Sequence, residues 1–123
     1  MKVGFYVQRI DVNVASILYR GLYPAAQLCR AGHKAFVFDF PPSSRMMRAL
    51  DALVIVKGMN HRAYGATLRA RALGVPVVLD ICDDIFVPGY GKGDGAEALN
   101  FRAMSAVASA IVTTGPAMVA VLR

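Results

Sequence analysis

Five short apolar runs, each separated from the next by a stretch with helical patterning, constrain the fold of this chain most strongly. They comprise residues 2–8, 35–40, 52–57, 77–81 and 110–113. Strands that alternate with helices form βαβ units, in which the strands are parallel and the crossovers are right-handed. The sequence therefore predicts an α/β fold, a Rossmann-like three-layer α/β/α domain with a five-stranded, mainly parallel sheet.

For the strands of this sheet we expect the order 3-2-1-4-5 in preference to the flavodoxin-like order 2-1-3-4-5. The 123 residues suit one domain with one core, so a single domain over residues 1–123 is predicted. Pro24 interrupts the first helical stretch, which either kinks there or gives way to a second helix with proline in its first turn. Candidate helix caps are Asn13, Asn60 and either Ser43 or Ser44.

Three carboxylates lie at the end of the fourth apolar run or just after it, in the segment VPVVLDICDDIF of residues 75–86. In open α/β sheets, ligands bind beyond the carboxyl ends of the strands. Asp80, Asp83 and Asp84 could therefore hold sugar hydroxyls, act as a general base or bind Mg²⁺. The structural alternative is that Asp83 or Asp84 caps the following turn and that Asp80 accepts hydrogen bonds from loop amides.

Positive residues are predicted at the same edge of the sheet. Arg9 follows the first strand and Lys57 ends the third, so both could bind a phosphate or an acidic acceptor. His61 begins the next helix and is either a base or a plain helix-start residue. The net charge of +6 favours anionic partners, although a solvated basic surface explains it equally well.

Several classes of site lack their sequence signature. Asp39 ends the second strand, as the ribose-binding acid of dinucleotide folds does, but no G-x-G-x-x-G follows the first strand. There is also no phosphate-binding P-loop and no CxxC. The arginines are scattered rather than clustered, which argues against nucleic acid as a partner. We therefore predict no cofactor and no metal.

The lengths of the apolar runs and the small number of cysteines suggest a cytoplasmic protein. No apolar run reaches the roughly 18 residues of a membrane-spanning helix, and Cys29 and Cys82 are expected to be reduced thiols. Residues 43–50, SSRMMRAL, either form a plain crossover helix or rest on the inner face of an anionic membrane. The fifth strand would form an exposed edge, which invites pairing into a homodimer.

Three segments together resemble the N-terminal domain of GT-B-type glycosyltransferases. They are YRGLYPAAQLCRAGHKAFVF at residues 19–38, RALGVPVVLDICDDIF at 71–86 and SAIVTTGPAMVAVL at 109–122. The resemblance implies an acceptor-side domain that belongs to a longer two-domain protein, whose missing C-terminal domain binds the nucleotide-sugar donor. It also implies a carbohydrate or lipid-linked acceptor, and it implies that this chain alone is inactive.

In this interpretation the strand ends with Arg9, Lys57 and Asp80 face the interdomain cleft, where His61 also helps to bind substrate. Asp83 and Asp84 would be catalytic, and a glycine-rich loop at residues 89–95 would move as the acceptor enters. The sequence departs from many members at residues 9–13, which lack a glycine-rich loop near the donor phosphates. The alternative function is a non-catalytic Rossmann-like module that binds an anionic ligand or a protein partner.

Overall fold

The computed structural model describes residues 1–87 and 95–122. Its strands are β1 (Lys2–Tyr6), β2 (Lys34–Phe38), β3 (Ala52–Val56), β4 (Val77–Ile81) and β5 (Ala110–Thr113). Its α-helices are α1 (Ala15–Ile17), α2 (Tyr23–Arg30), α3 (Ser44–Arg48), α4 (His61–Ala72), α5 (Ala96–Ser105) and α6 (Pro116–Leu122). A π-helical turn, Leu18–Leu22, joins α1 to α2. Among the helices described, none has both the length and the apolar character needed to cross a membrane.

All five strands are parallel and lie in the order β2-β1-β3-β4-β5. The predicted α/β class, with a five-stranded Rossmann-like sheet between helices, is confirmed. The predicted order 3-2-1-4-5 needs one correction, because β3 pairs with β1 on the side away from β2 instead of lying outside β2. The observed order is thus 2-1-3-4-5, the flavodoxin-like alternative of the sequence analysis. A 3-2-1-4-5-6 sheet that lacks its third strand has the same order once its strands are renumbered, so the arrangement is still that of a Rossmann-like α/β sheet.

Burial explains why β3 takes a central place in the sheet. The strand is wholly apolar, and Leu53, Ile55 and Val56 are buried between β1 and β4. Continuous apolar runs are typical of strands covered on both faces. In contrast, β2 begins with an exposed lysine, Lys34, and has an exposed aromatic residue, Phe36, in its middle. Such a strand is better suited to an edge, where charged side chains reach water.

Helices cover both faces of the sheet because the crossovers run in two directions. The right-handed crossover from β1 to β2 puts α1 and α2 on one face, and the crossovers that lead away from β2 put α3, α4 and α5 on the other. The smaller core under α1 and α2 consists of Val3, Phe5, Val7, Ile17, Ala25 and Val56. The larger core, under α3 to α5, includes Met47, Leu53, Ile55, Leu79 and Met104. Where the direction reverses, between β1 and β3, a crevice is expected at the carboxyl ends of the strands.

Side-chain caps begin two of the helices, as predicted. Asn60 Oδ1 accepts a hydrogen bond from the Ala63 N–H at 2.9 Å, and Ser43 Oγ accepts one from the Met46 N–H at 3.3 Å. The predicted cap at Asn13 was wrong, because α1 begins after Val14 without a side-chain cap. The Asn13 N–H instead donates to Asp11 Oδ1 at 3.0 Å, so Asp11 closes the turn before this helix.

Candidate functional site

A cleft of about 320 Å³ opens beyond the carboxyl ends of β1 and β3, where the direction of the crossovers reverses. Its lining comes from the segments after the two strands and from the start of the first helix: Gln8, Arg9, Val14, Ser16, Ile17, Val56 and Lys57. The lining mixes apolar and polar side chains, and its two charged residues, Arg9 and Lys57, are cations. The position and the charge together favour an anionic ligand.

Lys57 connects three strand ends at this cleft. Its N–H donates to the Asp80 carbonyl at 2.8 Å, and its own carbonyl accepts from Gln8 Nε2 at 3.3 Å. Its Nζ lies 2.5 Å from Asp83 Oδ2. The φ of Lys57 is +49°, in the left-handed region that few residues with side chains adopt, so these contacts must offset the strain.

The surroundings of Lys57 stabilise its protonated, positively charged form. The hydrogen bond to Asp83 raises the pKa of Lys57 above its ordinary value, and this effect outweighs burial, which lowers the pKa. About a third of each side chain of the pair remains exposed. The ammonium group is therefore a stable positive charge at the edge of the cleft, within reach of a ligand that enters from solvent.

Asp80 is paired with Arg20, a residue that the sequence analysis did not select. Arg20 Nε donates to Asp80 Oδ1 at 2.6 Å, and Arg20 Nη2 donates to the same oxygen. The side chains are only 20% and 10% exposed, so the ion pair is largely removed from water. Burial raises the pKa of Asp80, while the bond to Arg20 partly offsets this rise. Asp80 was predicted to bind substrate, and in this structure its carboxylate is occupied by Arg20.

Pro24 accounts for the π turn that carries Arg20. Proline has no N–H, and in an α-helix its ring would crowd the carbonyl four residues earlier, which is that of Arg20. The chain widens instead, and the Tyr23 N–H donates to the Leu18 carbonyl, five residues back. Pro24 itself lies in the first turn of α2. The predicted alternative of a second helix with proline in its first turn is therefore confirmed.

Gly21 allows the π turn to approach the sheet closely. This residue is buried, and a Cβ atom at its position would lie 3.0 Å from Val7 Cγ1, just beyond β1. The close approach brings the adjacent Arg20 within reach of β4, two strands away from β1. The sequence signals for this arrangement were an aspartate inside an apolar strand, which needs a partner, and a proline inside a helical stripe.

Arg9 and His61 lie at the periphery. Arg9 lines the cleft, but its side chain is 69% exposed and its Nη2 is 3.3 Å from Asp11 Oδ2. His61 is exposed at the first position of α4 and is not among the residues that line the cleft. The structure thus brings Arg9 and Lys57 together at one cleft, as predicted, while His61 remains at a helix start.

The two remaining aspartates have different surroundings. Asp83 contacts Lys57, whereas Asp84 Oδ1 accepts a hydrogen bond from the Phe86 N–H at 3.0 Å and so closes a local turn. Between Asp80 and Asp83, burial raises the pKa of the Cys82 thiol, which therefore stays protonated at neutral pH and is a poor nucleophile. The three carboxylates thus serve three separate partners.

Metal ligation finds no support in the residues described. Within residues 1–87 and 95–122, no three His, Cys, Asp or Glu side chains come together as a possible ligand group. The glycine-rich loop expected to move with the acceptor, at residues 89–95, lies outside the described residues except for Gly95. The chemistry supported by the described part is the binding of anions and hydroxyl groups by Lys57, Arg9 and Asp83.

Comparison with known proteins returns no match, either to a protein-family profile or to a curated protein sequence.

Proposed function

We propose that residues 1–123 form the acceptor-side domain of a GT-B-type glycosyltransferase whose nucleotide-sugar donor binds to a domain outside these residues. The observation that carries the proposal is the cleft at the reversal point of the sheet, with Arg9 and Lys57 at its edge and Asp83 beside Lys57. The three sequence segments that resemble this class contribute the π turn, β4 and β5, and the first two of these are joined by the ion pair between Arg20 and Asp80.

The acceptor would be a hydroxyl compound that also carries a phosphate or another acidic group. Lys57 and Arg9 would bind the acidic group through charge-assisted hydrogen bonds. Asp83 would accept the proton of the acceptor hydroxyl as its oxygen bonds to the anomeric carbon of the donor. The bond from that carbon to the nucleotide phosphate breaks, and its electron pair leaves with the phosphate. Asp84 would position this segment through its bond to Phe86.

The test is sugar transfer by the protein as its native host produces it, after its intact mass has been measured. An intact mass that exceeds 13.2 kDa by the mass of roughly 100 to 200 further residues would show that the protein has room for a second domain. Release of nucleotide is then measured for the wild type and for Lys57→Met and Asp83→Asn. Both variants should lose at least tenfold in turnover or in acceptor affinity. The matched controls Lys34→Met and Asp39→Asn, exposed residues of β2 and the turn after it, should lose neither.

Unchanged turnover and unchanged acceptor affinity in both site variants would refute the assignment. A mass of 13.2 kDa, with no transfer from any nucleotide sugar and no partner subunit, would refute it as well.

A second candidate is a non-catalytic module that binds an anionic ligand. It is favoured by the partners of the carboxylates: Asp80 bonds Arg20, Asp83 bonds Lys57 and Asp84 bonds the Phe86 N–H. Amide NMR shifts measured against glucose 1-phosphate and inorganic phosphate distinguish the candidates. Equal binding of both compounds at Gln8 and Lys57, without transfer activity, supports the module, because only an acceptor site needs to recognise the sugar.

Self-association belongs to this second candidate. The edge strand β5 keeps Ile111 and Val112 about two-fifths exposed, and unpaired strand edges invite pairing. Light scattering should give a dimer if β5 pairs with a second copy, and a monomer at all concentrations if it does not. For the compartment we propose the cytoplasm, since Cys29 and Cys82 are both free thiols.

A further inference from the structure

A second surface, none of whose residues lines the cleft, combines exposed apolar side chains with unpaired cations. It lies at the β2 edge of the sheet and along α3. Phe36, Phe40 and Met46 are 43%, 50% and 37% exposed there. We call the surface formed by these three residues, together with Lys34, Arg45 and Arg48, the β2-edge surface. All three cations are exposed, and in the part of the chain that the structure describes none of them forms an ion pair.

The apolar residues of the β2-edge surface form a continuous unit. Side chains alternate along a strand, so Phe36 and Phe38 share a face, and their rings stack with centroids 6.4 Å apart. Phe40 meets the Phe38 ring edge-on at 5.9 Å. A cavity of about 170 Å³ lies between this aromatic row and α3, lined by Phe36, Phe38, Met46, Ala49 and Leu50. Its lining is almost wholly apolar, so the cavity offers little to a ligand that needs hydrogen bonds.

The charges identify the partner. Between residues 34 and 50 the chain carries Lys34, Arg45 and Arg48 against a single acid, Asp39. Lys2, the register partner of Lys34 on β1, adds a further cation, and Asp51, whose Oδ2 accepts a hydrogen bond from the Lys2 N–H, adds a second acid, so cations outnumber acids four to two. Docking of a second copy on the same surface would bring these like charges face to face, which is unfavourable. A surface that presents apolar groups within a positive rim is complementary to an anionic lipid bilayer.

We propose that the β2-edge surface docks on anionic lipid bilayers, with Phe36, Phe40 and Met46 inserted at the level of the headgroups and Lys34, Arg45 and Arg48 bound to anionic headgroups. The inference does not depend on the transferase assignment, because none of these residues lines the cleft. It predicts reversible, salt-sensitive binding, since exposed charge interactions are screened within about 8 Å at physiological ionic strength.

The absence of tryptophan from the chain allows a direct test. The variant Phe40→Trp places the only indole on the β2-edge surface, and the control Leu99→Trp places it on α5, at a residue that is 68% exposed. Each variant is titrated with vesicles of phosphatidylglycerol and phosphatidylcholine and with vesicles of phosphatidylcholine alone. We expect a blue shift of the Phe40→Trp emission with the anionic vesicles only, and no shift for Leu99→Trp.

Substitutions separate the charge from the apolar contacts. Each cation near an anionic surface contributes about fivefold to the partition coefficient. Arg45→Gln together with Arg48→Gln should therefore weaken binding about 25-fold, whereas Arg30→Gln with Arg71→Gln, at exposed sites on α2 and α4, should have far less effect. Phe36→Ser should weaken binding roughly tenfold by removing inserted apolar surface. Circular dichroism verifies that each variant is folded.

Three results would overturn the proposal: equal shifts of both indoles, binding that does not respond to Arg45→Gln with Arg48→Gln, or no binding to anionic vesicles at low salt. A blue-shifted Phe40→Trp emission that depends on protein concentration without vesicles would instead make the surface a contact between copies of the chain. Tighter binding of oligo(dT) than of the anionic vesicles would assign it to single-stranded nucleic acid.

Discussion

Replacement of Arg20 by methionine tests whether the ion pair with Asp80 is a structural element of the cleft. Methionine follows the course of the arginine side chain as far as Nε, so Arg20→Met removes the charge and both hydrogen bonds while it keeps the packing of the apolar stem. Asp80 is then left 10% exposed without its partner. The direct consequence is an unpaired carboxylate in a site largely shielded from water.

The expected loss follows from the burial of the pair. Removal of one partner from a fully buried ion pair costs about 3 to 5 kcal/mol. Arg20 keeps a fifth of its side chain in water, and water that enters by this route can solvate Asp80 in the variant. We therefore expect the free energy of unfolding to fall by about 2 to 3 kcal/mol at pH 7. Such a loss would lower Tm by roughly 8 to 12 °C in a domain of this size.

The loss should shrink in acid. Burial already raises the pKa of Asp80 in the folded protein, and removal of Arg20 takes away the main influence that lowers it. A carboxyl group with a raised pKa binds its proton more readily in the folded state than in the unfolded state. Its contribution to stability is then present at low pH and is lost as the pH rises through the folded-state pKa. The deficit of Arg20→Met is thus largest at pH 7 and decreases towards pH 5.

Urea unfolding followed by circular dichroism measures the effect, with Arg20→Met/Asp80→Asn as the reference. The double variant has no carboxylate at residue 80, so it should be more stable than Arg20→Met at pH 7, by about 1 to 2 kcal/mol. This difference should decrease as the pH falls. A deficit of Arg20→Met below about 0.5 kcal/mol, or one that grows in acid, would show that the pair is not removed from water as described.

Three further changes probe the packing and the cleft. In Gly4→Ala the new Cβ would lie 2.6 Å from Leu50 Cδ1, so urea unfolding should show a loss of about 1 to 3 kcal/mol. Gly65→Ala is the matched control, because its Cβ meets no atom within 4 Å in the interior of α4, and it should gain about 0.5 to 1 kcal/mol. Asp83→Asn should lower the pKa of Lys57, measured by NMR titration of the side chain, since Asp83 is the main cause of the raised value. An unchanged pKa would argue against the pair.

The strands were the most predictable part of the fold. The bounds of β4 and β5 agree with the prediction. Gly74 and Pro76 end the helix before β4, and a polar turn ends β5. The order of the strands was harder to predict, since local sequence patterns do not show on which side of β1 the next strand pairs. The wholly apolar composition of β3 held that information, as a strand of this kind is destabilised at an exposed edge.

The sequence predicted the cleft residues that follow the strands, but it did not predict that the first helical segment supplies a partner for Asp80. Lys57 and Arg9 could be placed at one edge because the carboxyl ends of parallel strands meet there. The pairing of Arg20 with Asp80 spans 60 residues and depends on a π turn, and a sequence pattern with helical spacing does not reveal such a turn. Asp84 had two interpretations from the sequence, and its bond to the Phe86 N–H agrees with the turn-capping one.

The π turn also determines how this helix tolerates changes in length. Successive residues of an α-helix are about 100° apart around its axis, and a π turn holds one residue more than an α-helical turn over the same span. Deletion of Gly21 or Leu22 would remove the extra residue of the π turn and would rotate Arg20 away from β4 relative to Ala25, which is buried on the inner face of α2. The chain could then satisfy the ion pair or the packing of α2, but not both. The number of residues between Arg20 and Ala25 therefore cannot change without the loss of one of these two contacts.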